Sequence, residues 1–310
     1  MENILNMLEK CELCPRHCAV NRLKRQKGYC GAGDKVIVAH YGPHHGEEPP
    51  ISGKSGSGTI FFSFCNLRCI FCQNYQISHD GMGQEISLKR LTEMFLELQT
   101  SGCHNINLVS PVSHIPHIAM AIIDAKKEGL TIPVVYNTNT YESVETLRTM
   151  DGLIDIYLPD FKYWSPTVAE KLSDVPKGKA YPDFAKEVLL EMKRQVGDLV
   201  VEGEIATKGL LVRHLVLPGG LAGSKEIFQW IGQNLGTKTF ISLMSQYCPV
   251  HKANKDPLLR RKIRQEEYDT VVEYLIREGF KNVFIQEITS APLFVPDFDE
   301  AEPFKYGDEK

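Results

Sequence analysis

The sequence has no excess of positive charge. It holds 35 Lys and Arg against 39 Asp and Glu, a formal net charge of −4, so general nucleic-acid binding is not expected. No apolar run approaches the ~20 residues that a membrane span needs. Met1-Glu2-Asn3-Ile4 does not start a signal peptide; no membrane partner is expected, and the expected compartment is the cytoplasm. A phosphate loop is missing too. Gly53 to Gly58 is glycine-rich, but it holds no G-x4-G-K-[ST] and it precedes a strand instead of following one.

Cysteine, by contrast, is abundant. Nine cysteines in a chain with no apparent leader argue for a reducing compartment and metal ligation over disulfides. Seven of the nine fall into two clusters. The tighter one lies in TIFFSFCNLRCIFCQN, Thr59 to Asn74. An apolar run reads as a buried strand over 59–64 and leads directly into Cys65, Cys69 and Cys72, spaced C-x3-C-x2-C. Three thiols within eight residues face one centre, and iron–sulfur clusters are held by Cys thiolates, normally four. Three close ligands without a nearby fourth point to a [4Fe–4S] cubane whose remaining iron is open. Zinc with a distant fourth ligand is the alternative, although zinc ligands usually come as C-x2-C pairs.

The other cluster is CELCPRHC followed by GYCGAG, giving Cys11, Cys14, Cys18 and Cys30. Four thiolates suffice for a structural zinc or for a second iron–sulfur cluster, and the spacing leaves both open. His17 beside them reads as a surface residue. His44 and His45, in the Gly- and Pro-rich stretch that follows, could line an active site, but adjacent histidines on such a loop are more often solvated.

From residue 59 strand and helix alternate. Strands are expected over 59–64, 105–109, 132–136, 153–158, 210–217, 239–244 and 282–285. Helices are expected over 88–100, 113–128, 143–150, 184–195, 225–234 and 266–278. Leu91, Met94, Phe95 and Leu98 make the i, i+3, i+4, i+7 stripe of the first of these helices. Repeated units of this kind imply parallel strands with right-handed crossovers. The division expected is a Cys-rich metal-binding segment over 1–58, a partial barrel over 59–290 and an irregular tail over 291–310. The 310 residues suit an α/β barrel built as one unit, whose chemistry sits at the C-terminal ends of its strands.

The C-x3-C-x2-C loop resembles that of the radical S-adenosylmethionine (SAM) superfamily. The segments CxLCPRxC, EEPPISG, GSGTIFFS, NINLV, DIYLPDFKY and RHLVLPG are similar to a subgroup related to pyruvate formate-lyase activating enzyme. The resemblance implies an α/β fold, an open (β/α)6 barrel, and an oxidoreductase. In that family a [4Fe–4S] cluster on Cys65, Cys69 and Cys72 cleaves SAM to a 5′-deoxyadenosyl radical, which abstracts hydrogen from a substrate. It further implies that Phe71 packs near adenine, that Asn74 completes a C-x-N motif, and that Asp160 and Lys162 match an L-D-x-K segment contacting SAM. Ser110, Asn137, Thr138 and Tyr247 are further candidates for SAM contact. Ser110-Pro111-Val112 stands where many relatives carry Gly-Gly-Glu; Asn137 replaces an Asp and Thr140 a Gly. Arg213 and Gln246 are candidates either for the site or for barrel packing. An electron donor such as flavodoxin or ferredoxin is implied. The leading expectation is an activase, whose substrate is a glycine of a partner protein; the alternative is radical modification of a small molecule or a peptide side chain. A non-catalytic metal-bound redox sensor is the remaining class. The basic run Lys252, Lys255, Arg260, Arg261, Lys262 and Arg264 is a solvated face or a docking surface.

Overall fold

The computed structural model describes residues 2–288 and 295–304, so part of the expected tail over 291–310 lies outside the described residues. The chain opens with a one-turn helix α1 (Glu2–Leu5), crosses the cysteine-rich turns, and enters strand β1 (Val36–His44). After a short helix α2 (Pro49–Ser52) comes β2 (Ser57–Phe62), buried along its whole length. Helix α3 (Tyr75–Ser78) and strand β3 (Gln84–Ile86) follow the cysteine loop.

The alternation then runs α4 (Leu88–Thr100), β4 (Ile106–Val109), α5 (Ile115–Lys127), β5 (Val134–Thr138), α6 (Val144–Arg148) and β6 (Ile156–Pro159). Helices α7 (Pro166–Ser173) and α8 (Tyr181–Val196) cross to the hairpin β7 (Val200–Glu202) and β8 (Ile205–Leu215). Helix α9 (Ser224–Asn234), β9 (Phe240–Met244), α10 (Gln265–Arg277) and β10 (Val283–Ile285) complete the order.

The strands β2, β4, β5, β6, β8, β9 and β10 pair in that order, all parallel, while β1 and β3 add antiparallel at the β2 edge. Among the described residues the sheet does not close. It is the expected α/β partial barrel: Val, Ile and Leu fill strands covered by helices, as parallel sheets require. Helix α4 starts on Ser87, whose hydroxyl accepts from Arg90 N–H, and buries the predicted Leu91, Met94, Phe95 and Leu98.

Three local expectations change. His44 lies at the end of strand β1 and is buried while His45 is exposed, so the pair is not uniformly solvated. Helix α7 lies in what reads as a plain crossover; Ser165 caps it through Val168 N–H, with Pro166 in the first turn. Helix α8 begins at Tyr181, three residues before the expected start, because its first turn accommodates Pro182.

Candidate functional site

Strand β2 delivers the chain to Phe64, which takes a left-handed φ of +72° and turns Cys65 over the strand ends. Two backbone bonds fix the loop beyond it to the end of α7: Arg68 N–H donates to Ser173 O at 3.0 Å and Ile70 N–H to Leu172 O at 2.9 Å. Arg68 folds its guanidinium beneath the loop, donating to Cys65 O at 3.0 Å, Ser78 O at 2.8 Å and Cys30 O at 3.1 Å.

The thiols of Cys65, Cys69 and Cys72 line one cavity of about 160 Å³. Asn139 Nδ2 donates to Cys65 Sγ at 3.2 Å, and Leu67 N–H approaches it at 3.4 Å. Cys69 Sγ is 2.9 Å from Ser173 Oγ, and Cys72 Sγ is 3.2 Å from Ser78 Oγ. Burial, reinforced by neighbouring Cys69, pushes the Cys72 thiol up to about 12; burial raises Cys65 also. Such thiols ionise when a cation takes their charge, and the donors around them suit sulfur ligands. Among the described residues no three His, Cys, Asp or Glu side chains converge as they would on a single ion. A cubane asks for less convergence, since each thiolate holds its own iron. The three-cysteine set therefore fits an iron–sulfur cluster better than zinc.

The same cavity gathers most of the other candidates: Phe71, Asn74, Ser110, Asn137, Thr138, Asp160, Lys162 and Tyr247. Phe71 is buried with its ring 5.7 Å from that of Tyr247, whose hydroxyl is committed to Leu259 O at 2.6 Å. Ser110 has a left-handed φ of +59° and makes no side-chain cap, so helix capping does not account for it. Thr138 and Tyr136 both donate their hydroxyls to Glu142, which burial pushes up to about 7. Thr140, where relatives carry Gly, has φ +66°, the left-handed conformation that glycine adopts freely.

Asp160 and Lys162 are not an exposed pair. Their side chains are 12% and 19% exposed, with Lys162 Nζ 2.6 Å from Asp160 Oδ2. Arg213 Nε donates to Asp160 Oδ1 at 2.9 Å, and its Nη1 to Glu47 Oε2 at 3.2 Å. Burial works to raise the Asp160 carboxyl, but Arg213 and Lys162 outweigh it and hold it below its ordinary value. His214, next in the strand, is a structural tie, bonding Phe161 O and Ser224 Oγ.

A second, larger cavity of about 380 Å³ adjoins the first; Gln73, Asn74, Asn137, Arg213 and Gln246 line both. Its polar wall comes from Glu47 and Glu48, which precede α2. Ile51 of α2 is fully buried against Val135, Leu158, Ala206 and Leu211, plugging the barrel interior. Gly53 ends this plug with φ +49°; a Cβ there would meet Ile205 Cδ1 at 2.3 Å and His104 Nε2 at 2.7 Å. Phe298 and Phe304 of the tail pack on Phe61, centroids 5.5 and 5.0 Å away, and Phe304 reaches His44 at 4.4 Å.

The cysteines 11, 14, 18 and 30 lie on turns that pack against the loop of Cys65, Cys69 and Cys72. Arg16 Nε donates to Asn66 O at 2.6 Å, and its guanidinium lies 3.3 Å from the Tyr29 ring centroid. Burial pushes the Cys14 thiol up to about 12, with Cys30 and Cys11 adding to the effect. Sequence reasoning missed Asn139 as a sulfur partner, Glu47 and Glu48, and Cys248, which lines the cluster cavity. Their roles arise from distant chain contacts; the only local signal was the acidic pair in EEPPISG.

Comparison with known proteins agrees with this geometry. Residues 59–210 match the Radical SAM superfamily. An uncharacterized protein of Methanocaldococcus jannaschii is 31% identical over 278 residues, covering 86% of this chain and 75% of its own. The FeFe-hydrogenase maturase HydG of Carboxydothermus hydrogenoformans is similar in fold at 12% identity, with a TM-score of 0.52 over 79% of this chain and 61% of its own. Streptococcus suis SuiB bound to S-adenosylmethionine gives 12% identity and a TM-score of 0.51 over 73% of this chain. The chain spans about half of SuiB, 49% of its length. Among the described residues no helix is long and apolar enough to cross a membrane. With the three-cysteine loop at the end of the first parallel strand and these matches, the chain belongs to the radical SAM superfamily.

Proposed function

We propose that this radical SAM enzyme is an oxidoreductase that abstracts hydrogen from a small molecule, or from a single side chain, held in the larger cavity. The observation that carries this reading is the walling of that cavity by Glu47, Glu48 and Pro49 at the start of α2 and by Phe304 of the tail, which packs on Phe61. A glycyl-radical activase is the second reading. The likeness of DIYLPDFKY and RHLVLPG to activating-enzyme segments favours it, and it expects a mouth that admits a peptide loop.

Cys65, Cys69 and Cys72 hold the [4Fe–4S] cluster in this proposal. When bound, that cluster supplies the electron that cleaves SAM to methionine and a 5′-deoxyadenosyl radical. Lys162 offers a charge-assisted hydrogen bond to the SAM carboxylate, and Asp160 with Arg213 holds that ammonium in place. Phe71 and Tyr247 supply an apolar face for adenine, and Asn74, Ser110, Asn137 and Thr138 line the remaining wall.

Three finer assignments accompany it. Cys11, Cys14, Cys18 and Cys30 bind a second metal, an iron–sulfur cluster in preference to zinc, since among the described residues these thiols do not converge as on a single ion. The electron comes from a small acidic protein of flavodoxin or ferredoxin type, docking on the basic run after β9. In support, Lys252 N–H donates to Ile70 O of the cluster loop at 2.9 Å, and Lys252, Lys255, Arg260, Lys262 and Arg264 are exposed. Nine free cysteines and a cluster of this kind suit the reducing cytoplasm.

The test is anaerobic reconstitution with iron and sulfide, followed by reductant and SAM and an assay for 5′-deoxyadenosine. About four irons indicate one cluster and about eight indicate two. Protein that takes up no cluster overturns the reading; cluster and bound SAM without 5′-deoxyadenosine mean that cleavage waits for a missing partner. Turnover on a peptide loop, with none on small molecules, favours the activase.

A further inference from the structure

The acidic pair Glu47-Glu48 has no part in holding a cluster, yet it is built into the barrel with care. Its helix α2 fills the interior through Ile51, and Asn105 Nδ2 donates to Ile51 O at 2.7 Å. The two carboxylates are thereby presented to the larger cavity. Glu47 is fully engaged. Arg213 pairs with one oxygen at 3.2 Å, while Asn107 and Asn137 donate to the other at 3.0 and 3.3 Å.

Glu48 differs. It is 8% exposed, and among the described residues its Oε2 has no hydrogen-bond partner. An unsatisfied buried carboxylate oxygen is costly, and native proteins keep one where something else completes it. The local charge balance points the same way. Three carboxylates, Glu47, Glu48 and Asp160, stand against two cations, Arg213 and Lys162; burial raises Glu47 as it does Glu48, so a further cation would favour the charged form of the pair. His44 in the same wall does not compensate, because burial pulls it down to about 4 and leaves it neutral. Burial, with Glu47 adding to it against Arg213, raises Glu48 to about 6.

We infer that Glu48 receives a protonated nitrogen of the substrate, and that the substrate class is a primary amine on a short aliphatic stem. Phe61, Val109, Met244 and Phe284 add an apolar part to the same lining, which suits such a stem. A divalent metal ion fits less well, since no third acidic or imidazole side chain among the described residues converges with this pair. This inference rests on the reading above, in which the larger cavity holds the substrate beside the cluster cavity. The amine is free, or it is carried on a peptide as a lysine-type side chain; both share the chemistry.

The experiment uses anaerobically reconstituted protein saturated with SAM, and measures binding by ligand-observed NMR and titration calorimetry. The probes are n-pentylamine, n-pentanol and pentanoate, matched in stem, with Nα-acetyl-lysine N-methylamide as the peptide-borne form. Both amines are expected to bind at least tenfold tighter than pentanol or pentanoate. Glu48→Gln keeps the shape, removes the charge, and is expected to lower amine affinity about tenfold. Preference between the two amines tells free substrate from side chain. Equal or tighter binding of pentanoate overturns the inference, as does unchanged amine affinity in folded Glu48→Gln. If that variant fails to fold, the order of the probes on the unsubstituted protein still decides. SAM affinity is measured separately on the unsubstituted protein: its absence defeats the reading of the first cavity, while the amine preference tests the second.

Discussion

Arg213 reaches from β8 to Asp160 beyond the end of β6, donating through Nε to Oδ1 at 2.9 Å. The other arm of the same guanidinium meets Glu47, so one buried cation links the two cavities. Arginine suits this position because its planar fork offers fixed, separate donors and stays charged. Lysine would carry the charge without reaching both carboxylates at once.

Removing Arg213 leaves Asp160 and Glu47 buried with less compensation. Loss of one partner of a buried pair typically costs about 3–5 kcal/mol. Arg213→Met is expected to lower unfolding stability in urea by roughly that amount, with Lys162 still holding one side of Asp160. Arg213→Lys should recover part of the loss. A change under about 1 kcal/mol in Arg213→Met would show that the network is not a structural joint.

Glu142 sets a pH dependence of a definite sign. Its carboxyl is raised to about 7 by burial, despite the hydroxyls that donate to it from Thr138 and Tyr136. Because the folded value lies above the unfolded one, the folded state holds the proton more tightly. The resulting stability is present in full below the unfolded value near 4.5 and is lost as pH rises through about 7. Glu142→Gln removes the titration. Relative to the unsubstituted protein, the variant should gain stability between pH 5 and pH 8 by up to about 3 kcal/mol. Thermal unfolding of both proteins at the two pH values measures this; an identical pH response in both would exclude the assignment.

The cysteine loop was legible because its chemistry is local: strand, turn and three thiols fall within one short stretch. The strand and helix alternation was legible for a similar reason, since a periodic apolar stripe such as Leu91, Met94, Phe95 and Leu98 depends on neighbours in sequence. Asp160 and Lys162 stood out through the DIYLPDFKY resemblance, but their burial did not, because it depends on Arg213 lying 53 residues away. Asn139 meets Cys65 across 74 residues, and Glu47 meets Arg213 across 166. No periodicity records such pairings. His44 was misread for a related reason: its Gly- and Pro-rich setting resembles a solvated loop, whereas pairing with Ser57 carries β1 through it.

Gly53 tests whether the plug positions the acidic pair. Its left-handed φ, and the 2.3 Å approach of Ile205 Cδ1 to a Cβ built there, leave no room for a side chain without movement of β8 or α2. Gly53→Ala is expected to cost about 2 kcal/mol or more, from strain and overpacking together. Hydrogen exchange should rise at Ile51 and Ser52 before it rises in β5 or β6. Uniform exchange across the barrel would mean that the plug does not move as a separate unit.

Lys162 separates SAM binding from cluster binding. Its ammonium sits in the cavity shared with Cys65, Cys69 and Cys72, but the contacts that fix the loop are backbone bonds to α7 and the Arg68 guanidinium. Lys162→Ala should therefore keep its iron and sulfide content while SAM affinity falls about tenfold or more, as expected for loss of a buried charge-assisted bond. Cys65→Ala should behave in the opposite order, losing cluster and SAM cleavage together. The measurements are iron and sulfide content and SAM titration on each reconstituted protein. Unchanged SAM affinity in Lys162→Ala would remove Lys162 from the site, and full turnover in Cys65→Ala would remove the cysteine from the cluster.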